Sequence, residues 1–215
     1  MLQVVEAREF YAVSHCPCRQ RKNIDPESPT CEHPTEVCLH FDDLGRYTVQ
    51  NGMGREITKE ETLKILKQAA IAGLVHGVSN WLEGVDTICN CCKCCCMWLE
   101  QYHVLSHPMS LSPSNYRAAV DRSKCKACGL CVRRCPMDAQ RLEKYPEANN
   151  KFGKVSMVTE QDCIGCGVCV YTCPMEALTL ERVAETEAPP ANEQEFGMHF
   201  LTDVLAGRGH STKSG

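Results

Sequence analysis

The chain has 215 residues, which is enough for one large domain or two to three small ones. Its net charge is −4 and it has no long run of like charges, so the composition argues against a nucleic-acid-binding arm. No apolar run approaches the roughly 18 residues of a membrane span. The N-terminal apolar pattern is interrupted by Glu6, Arg8 and Glu9, unlike that of a signal peptide, and the expected compartment is therefore the cytoplasm.

Cysteine is the most unusual feature of the composition, with 18 residues. In a short secreted chain this content would indicate a disulfide scaffold. Because there is no recognisable export signal and the cytosol keeps thiols reduced, metal or redox chemistry is the better interpretation. Only 6% of the residues are aromatic, so bound inorganic clusters are expected to supply much of the folding free energy.

The first block of cysteines lies near the N-terminus and consists of Cys16, Cys18, Cys31 and Cys38. Four thiolates in so short a segment suit one tetrahedral metal ion or one [4Fe–4S] cluster. Because C-x-C is an uncommon opening for a structural zinc site, an iron–sulfur cluster is preferred here and zinc is the alternative. Three basic side chains that follow would offset the negative charge of a cluster: Arg19, Arg21 and Lys22.

A helix is predicted over residues 58–73, between the first and second cysteine blocks. Thr58 and Glu61 form a capping box, and Gly73 is suited to the position after the helix. Apolar residues recur at helical spacing at Leu63, Leu66 and Ala70. A helix followed by a short strand also occurs in winged-helix DNA-binding domains. The segment lacks a basic recognition helix, however, and a packing role is the preferred interpretation.

The second block, ICNCCKCCCMW at residues 88–98, contains Cys89, Cys91, Cys92, Cys94, Cys95 and Cys96. Neither a strand nor a helix would point six such thiols at one cluster. An irregular loop is therefore predicted after a strand ending near Ile88, followed by an apolar helix from Met97. The two blocks hold ten cysteines, two more than two cubanes need. The surplus indicates non-ligand cysteines, a larger or non-cubane cluster, or a redox-active thiol pair.

The third block contains two copies of C-x2-C-x2-C-x3-C-P, at residues 125–136 and 163–174. Similar segments flank both copies, which predicts a duplicated unit of strand, cluster loop, short helix and strand. Zinc sites usually have two separated cysteine pairs, so this spacing favours iron–sulfur clusters. Over roughly residues 115–183 the repeat resembles the bacterial-type ferredoxin with two [4Fe–4S] clusters.

The resemblance implies that the fourth cysteine of each run serves the other cluster. One cubane would be held by Cys125, Cys128, Cys131 and Cys173. The second would be held by Cys163, Cys166, Cys169 and Cys135. After the first run, Gln140 and Arg141 occupy positions where a plain ferredoxin is apolar, and they are predicted to face a neighbouring module.

The predicted fold class is α+β, with four segments in chain order. A cysteine-rich α/β iron–sulfur module covers residues 1–105, and a linker rich in Ser and Pro covers residues 106–115. A ferredoxin-like two-cluster domain covers residues 116–184. Residues 185–215 form a linker, a short amphipathic helix and a disordered tail. The helix is suited to docking on its own domain or on a partner subunit.

Taken whole, the chain is similar to a group of 4Fe–4S binding proteins of anaerobes that combine a CPCR module and a CNCC-x-CCC block with a C-terminal ferredoxin. The leading hypothesis is a cytoplasmic electron-transfer protein or subunit with three or four clusters. It would pass single electrons to or from a larger oxidoreductase or an electron-donor protein. The sequence has no Rossmann or P-loop glycine motif, which indicates that a partner handles organic carriers.

Two other hypotheses remain open from the sequence. The first is a redox enzyme subunit with a reactive, atypical cluster at Cys89–Cys96. The second is an iron–sulfur redox sensor that regulates transcription through residues 56–83. The absence of a basic patch weakens the second hypothesis. No catalytic residue is identified under either one.

Overall fold

A computed structural model of the chain describes residues 1–28, 30–104, 111, 114–183 and 188–206. These residues form a mixture of helices and strands, in agreement with an α+β fold. The chain divides into two compact units. Unit 1 comprises residues 1–72, 76–112 and 188–215, and unit 2 comprises residues 73–75 and 113–187.

Several sequence predictions fall on other parts of the chain. Most of the linker predicted at 106–115, the start of the segment at 185–215 and the tail from residue 207 lie outside the described residues. Within the described ranges, every helix is too short or too polar to cross a membrane.

Unit 1 is built on a five-stranded sheet, all of which belongs to this unit except Val75 at the start of the fourth strand. Its strands are β1 (Tyr11–His15), β2 (Glu36–Phe41), β3 (Gly54–Glu56), β4 (Val75–Gly77) and β5 (Thr87–Cys91). They are arranged in the order β3-β1-β2-β5-β4, and β2 runs antiparallel to both β1 and β5. Val13, Leu39 and Ile88 lie side by side across the three central strands and are fully buried. This apolar row forms the centre of the core.

Five helices accompany the sheet: α1 (Leu2–Glu6), α2 (Pro17–Ile24), α3 (Asp42–Gln50), α4 (Lys59–Ile71) and α5 (Met97–Val104). Helix α4 begins as predicted, because Thr58 Oγ1 accepts a hydrogen bond from the Glu61 backbone N–H at 3.1 Å. The buried face of α4 differs slightly from the predicted one, since it carries Ile65, Leu66 and Ala69. Helix α5 starts at Met97, which confirms the apolar helix predicted there.

In unit 2, each copy of the duplicated sequence forms a strand, a short helix and a second strand. The first repeat supplies β6 (Tyr116–Val120), α6 (Leu130–Arg134) and β7 (Gln140–Lys144), and the second supplies β8 (Lys154–Val158), α7 (Val168–Tyr171) and β9 (Leu178–Arg182). Strand β6 pairs with β9 and β7 pairs with β8, both antiparallel. Each sheet therefore takes one strand from each repeat, which interlocks the two halves.

The last helix, α8 (Glu193–Leu205), belongs to unit 1. Asn192 caps it by accepting a hydrogen bond from the Glu195 N–H at 3.0 Å. The ring of Phe196 lies 5.6 Å from that of Trp81, so the helix contacts its own unit. Its other large apolar side chains are exposed: Met198, Phe200, Leu201, Val204 and Leu205.

Candidate metal centres

Unit 2 encloses two hollows lined by cysteines. The first is lined by Cys125, Cys128, Cys131 and Cys173. The second is lined by Cys135, Cys163, Cys166 and Cys169. In each hollow, three cysteines come from one cysteine loop and the fourth comes from the end of the other run. The structure thus brings together the same two sets of four that the ferredoxin resemblance implies.

The cysteine loops depend on residues with positive φ. Gly129 and Gly167, with φ of 72° and 75°, immediately precede α6 and α7. Gly165 has φ of 62°, and a Cβ there would overlap the Tyr116 carbonyl oxygen. Glycine at 165 therefore allows the second loop to lie directly against the backbone of β6.

Backbone N–H groups point at several sulfur atoms of the hollows. Ser156 N donates to Cys125 Sγ at 3.4 Å, Ala177 N to Cys173 Sγ at 3.4 Å, and Ala118 N to Cys163 Sγ at 3.5 Å. Hydrogen bonds of this kind stabilise thiolates and raise the reduction potential of a bound cluster. The strands of unit 2 therefore supply electrostatic support for negative charge as well as packing.

Gln140 and Ser156 form a buried polar link between the two hollows. Ser156 Oγ donates to Gln140 Oε1 at 2.8 Å, and Gln140 Nε2 donates to Cys169 Sγ at 3.5 Å. Ser156 Oγ also lies 3.2 Å from Cys131 Sγ, on the side of the first hollow. The prediction that Gln140 faces a neighbouring module is wrong, because its side chain is buried inside unit 2.

The repeat itself contains a signal that could have revealed this link. Aligning PMDAQRLE with PMEALTLE places Gln140 opposite Leu178. A polar residue at a position that is apolar in the other repeat indicates a specific partner inside the domain, because an unpaired buried amide would cost free energy. Arg141, the next residue, is exposed and bonds Glu143 and Thr159.

In unit 1, four thiols form a closed group, which we call the quartet: Cys31, Cys92, Cys94 and Cys95. Their Sγ atoms all lie within 4.8 Å of one another. Cys31 comes from the loop between α2 and β2, and the other three come from the turn between β5 and α5. Three of the four are buried and Cys94 is exposed. The quartet therefore combines one cysteine of the first block with three of the second.

The other six cysteines of unit 1 form a second group, the six-thiol group: Cys16, Cys18, Cys38, Cys89, Cys91 and Cys96. Thiol–thiol hydrogen bonds join Cys16 to Cys18, and a continuous series joins Cys38, Cys89, Cys91 and Cys96. Electrostatic interactions of Cys16 with Cys38 and of Cys18 with Cys89 connect the two parts. The structure does not bring the four cysteines of the first block together as one set.

Strand register explains this regrouping. Leu39 of β2 pairs with Ile88 of β5, so the adjacent residues Cys38 and Cys89 come side by side. Strand β5 continues to Cys91, three residues past the predicted end at Ile88, and Cys89 and Cys91 therefore share one face. The predicted irregular loop begins only after Cys91.

Asn90, between those two cysteines, fixes β5 from within unit 1. Its Nδ2 donates to the Val37 carbonyl oxygen at 2.6 Å, and its Oδ1 lies 2.6 Å from His76 Nδ1. The turn that follows is closed by a hydrogen bond from Cys96 N to the Cys92 carbonyl oxygen at 3.1 Å. This turn directs Cys92 toward the quartet while Cys96 lies with the six-thiol group.

Hydrogen bonds between the thiols favour the thiolate form of some members. Bonds from Cys38 and Cys91 lower the pKa of Cys89 to about 3. A bond with Cys16 lowers the pKa of Cys18 to about 6, and a bond with Cys91 lowers the pKa of Cys96 to about 7. The same bonds raise the pKa of the partner thiols Cys16, Cys38 and Cys91. Because thiolates rather than thiols bind metals, the three thiols with a lowered pKa are the members of the six-thiol group best suited to bind a metal.

Arg19 is a fully buried cation beside the quartet. Its Nη2 donates to Cys92 Sγ and to the Asn90 carbonyl oxygen, each at 3.2 Å. Within the described part of the chain, its Nε has no hydrogen-bond partner. Burial by itself lowers the pKa of this guanidinium, but the hydrogen bond to Cys92 and the charges on the sulfurs of Cys92, Cys16 and Cys31 outweigh it and raise the pKa. This environment fits a metal–thiolate centre.

Arg21 and Lys22, predicted to offset cluster charge, both form ion pairs with Glu100. The distances are 2.7 Å from Arg21 Nη2 and 2.9 Å from Lys22 Nζ to the Glu100 carboxylate. These pairs tie α2 to α5, the two helices that follow Cys16 and Cys96. They help to hold together the segments that carry the unit 1 cysteines.

The duplicated strands, glycine-bearing loops and cysteine-lined hollows of unit 2 define an iron–sulfur domain of ferredoxin type. Residues 124–177 match the family model described as the 4Fe-4S dicluster domain. The matched segment includes all eight cysteines of the two runs and supports an iron–sulfur ferredoxin-type protein. Among curated proteins, no sequence matches the chain.

Proposed function

We propose that the chain is an electron-transfer protein or subunit that passes single electrons through [4Fe–4S] clusters to or from a larger oxidoreductase. The observation that carries the proposal is the pair of hollows in unit 2, each surrounded by four cysteines. One cubane is held by Cys125, Cys128, Cys131 and Cys173, and the other by Cys163, Cys166, Cys169 and Cys135. When bound, each cubane exchanges one electron at a time.

The residues of unit 2 perform three tasks in this function. Backbone N–H groups at Ser156, Ala177 and Ala118 hold negative charge on the sulfurs. Apolar side chains such as Leu142 and Leu178 cover the first hollow and limit water. Cys128 is exposed, so the first site reaches the surface where a redox partner can exchange electrons.

A third iron–sulfur centre is proposed at the six-thiol group of unit 1. The start of α5 supports it, because the Met97 backbone bonds Cys18, and the Leu99 and Trp98 backbones bond Cys96. Four of the six thiolates are enough for a cubane, which requires sulfurs that are hydrogen-bonded to each other to move apart around its irons. The two others serve a larger cluster or remain as thiols beside it.

The test is anaerobic metal analysis combined with a redox titration of the full chain. Three cubane-sized clusters predict about twelve irons and an equal amount of sulfide per chain. Electron paramagnetic resonance and Mössbauer spectra should show reversible one-electron steps between roughly −700 and +450 mV. Clusters that stay in one oxidation state across this range of potentials would contradict the electron-transfer proposal.

Replacing Gln140 with leucine should lower the potential of the cluster that Cys169 binds. Leucine occupies the equivalent position 178, so the fold should tolerate the change, while the N–H···S hydrogen bond is lost. A hydrogen bond of about 0.5–1.5 kcal/mol corresponds to a decrease of roughly 20–60 mV for one electron. Protein-film voltammetry measures the reduction potential of each cluster, and Leu178→Ile is the control. Equal potentials in the unchanged protein, Gln140→Leu and Leu178→Ile would contradict the role of Gln140.

A second candidate function follows from the surplus of thiols. Six thiols in one group exceed the four of a cubane, which suits a redox enzyme subunit whose cluster has free thiols or an open iron site. This candidate predicts that a substrate changes the resonance signal of the unit 1 cluster but not those of unit 2. A signal that stays constant across candidate disulfide and thiol substrates would leave electron transfer as the function.

A further inference from the structure

We propose that the quartet, Cys31, Cys92, Cys94 and Cys95, is a mononuclear site that binds one Zn²⁺ ion through four thiolates. The site is distinct from the iron–sulfur centres of the proposed function and does not depend on electron transfer. Its role is structural, because it joins the loop after α2 to the turn before α5.

The spacing of the sulfur atoms carries the assignment. Cys94 and Cys31 are 3.5 Å apart, Cys95 and Cys94 are 3.7 Å apart, and Cys31 and Cys92 are 3.9 Å apart, between Sγ atoms. Four thiolates at about 2.3 Å from one tetrahedral ion have sulfurs about 3.8 Å apart. The thiolates of a cubane bind four different irons, which separates their sulfurs to roughly 6 Å.

Unit 2 provides an internal comparison. Among the described residues, the quartet is where four ligand atoms of metal-binding side chains all lie within 4.8 Å of one another. The cysteines of unit 2 instead line open hollows. The same chain therefore contains thiols spread around a space for a cluster and thiols closed around the position of a single ion.

Charge and burial favour a closed, non-redox ion in the quartet. Four thiolates around Zn²⁺ leave a net charge of about −2, and the buried Arg19 guanidinium donates directly to Cys92 Sγ. The Cys31 backbone is fixed by a hydrogen bond from its N–H to Asn23 Oδ1 at 3.2 Å. Zinc has no redox chemistry and accepts tetrahedral thiolates, which suits a site that links two segments of chain.

The assignment also accounts for the excess of cysteines in unit 1. Four thiols bind zinc and six remain for the iron–sulfur centre. The adjacent cysteines in CNCCKCCC then belong to two centres, because strand β5 ends between Cys91 and Cys92. Cys89, Cys91 and Cys96 belong to one centre, and Cys92, Cys94 and Cys95 belong to the other.

The experiment compares zinc and iron in the full-length holo-protein and two matched variants, all purified anaerobically. The unchanged protein should contain about one zinc per chain, with an X-ray absorption spectrum of four sulfurs at about 2.3 Å. After treatment with a chelator, Cys94→Ser should contain at least tenfold less zinc than the unchanged protein. Its iron content should stay the same. Cys128→Ser, which also alters an exposed cysteine, should keep zinc and lose iron.

Three results of the metal analysis would overturn the zinc site. They are no zinc in the unchanged protein, a loss of about four irons in Cys94→Ser, or a mononuclear iron signal that Cys94→Ser removes. If Cys94→Ser does not fold, the absorption spectrum of the unchanged protein decides, because nitrogen or oxygen ligands at zinc would also overturn it. The redox titration of the clusters tests electron transfer separately from these measurements.

Discussion

Replacing Cys173 with serine should remove the cluster of the first hollow, although Cys173 lies in the second cysteine run. The reason is spatial, because Cys173 lines the hollow with Cys125, Cys128 and Cys131. The loss should amount to about four irons and one set of resonance signals, since a cubane held by three cysteines is labile. Iron analysis and Mössbauer spectra of the anaerobically purified variant measure the effect.

Double variants make the test decisive. Cys166→Ser, in the same run as Cys173, is the control and should empty the second hollow instead. Combining Cys128→Ser with Cys173→Ser should cost no more iron than either change alone. Combining Cys166→Ser with Cys173→Ser should cost both clusters. The crossed assignment is rejected if Cys166→Ser and Cys173→Ser empty the same site.

Gly165→Ala should destabilise unit 2 by about 3 kcal/mol or more. A Cβ at this position would overlap the Tyr116 carbonyl oxygen and Ser114 Oγ, and the first of these belongs to backbone that cannot turn away. The loop would have to move off β6, and the cysteines on either side would shift with it. The midpoint of thermal loss of cluster absorbance should fall by more than about 10 °C.

Gly153→Ala is the matched control for this prediction. Gly153 has φ of 59°, close to that of Gly165, but a Cβ there would meet no atom within 4 Å. Gly153→Ala should therefore lower the stability only by the cost of holding an alanine in the left-handed backbone region, about 1–2 kcal/mol. Ala127, at the position equivalent to Gly165 in the first repeat, already has φ of 55°. Equal losses for the two variants would show that the close approach to Tyr116 is not the cause.

Local patterns in the sequence predict the parts of the fold that depend on neighbouring residues. The capping pair Thr58 and Glu61 marks the start of α4, and Met97 marks the start of α5. The repeated C-x2-C-x2-C-x3-C-P run marks both cysteine loops and the short helices α6 and α7. Each of these features arises from contacts within a few residues, so the linear order contains the information.

Features that depend on long-range pairing could not be predicted in the same way. Gln140 was predicted to face a neighbouring module, but the pairing of β7 with β8 buries it beside Ser156. The end of β5 at Cys91 depends on its alignment with β2 and on the anchoring of Asn90. A strand acquires its partner and register from residues far away in the chain.

By itself, the sequence determined that this is a protein of thiolate-bound clusters. The number of cysteines and their spacing in the two ferredoxin runs are properties of short segments, and they select the chemistry of the site. Only the tertiary structure decided how the ten cysteines of unit 1 are divided. Pairing of Leu39 with Ile88 places Cys38 beside Cys89, while the turn after Cys91 brings Cys92, Cys94 and Cys95 to Cys31. Those contacts join residues that are between 49 and 64 positions apart, which no local spacing encodes.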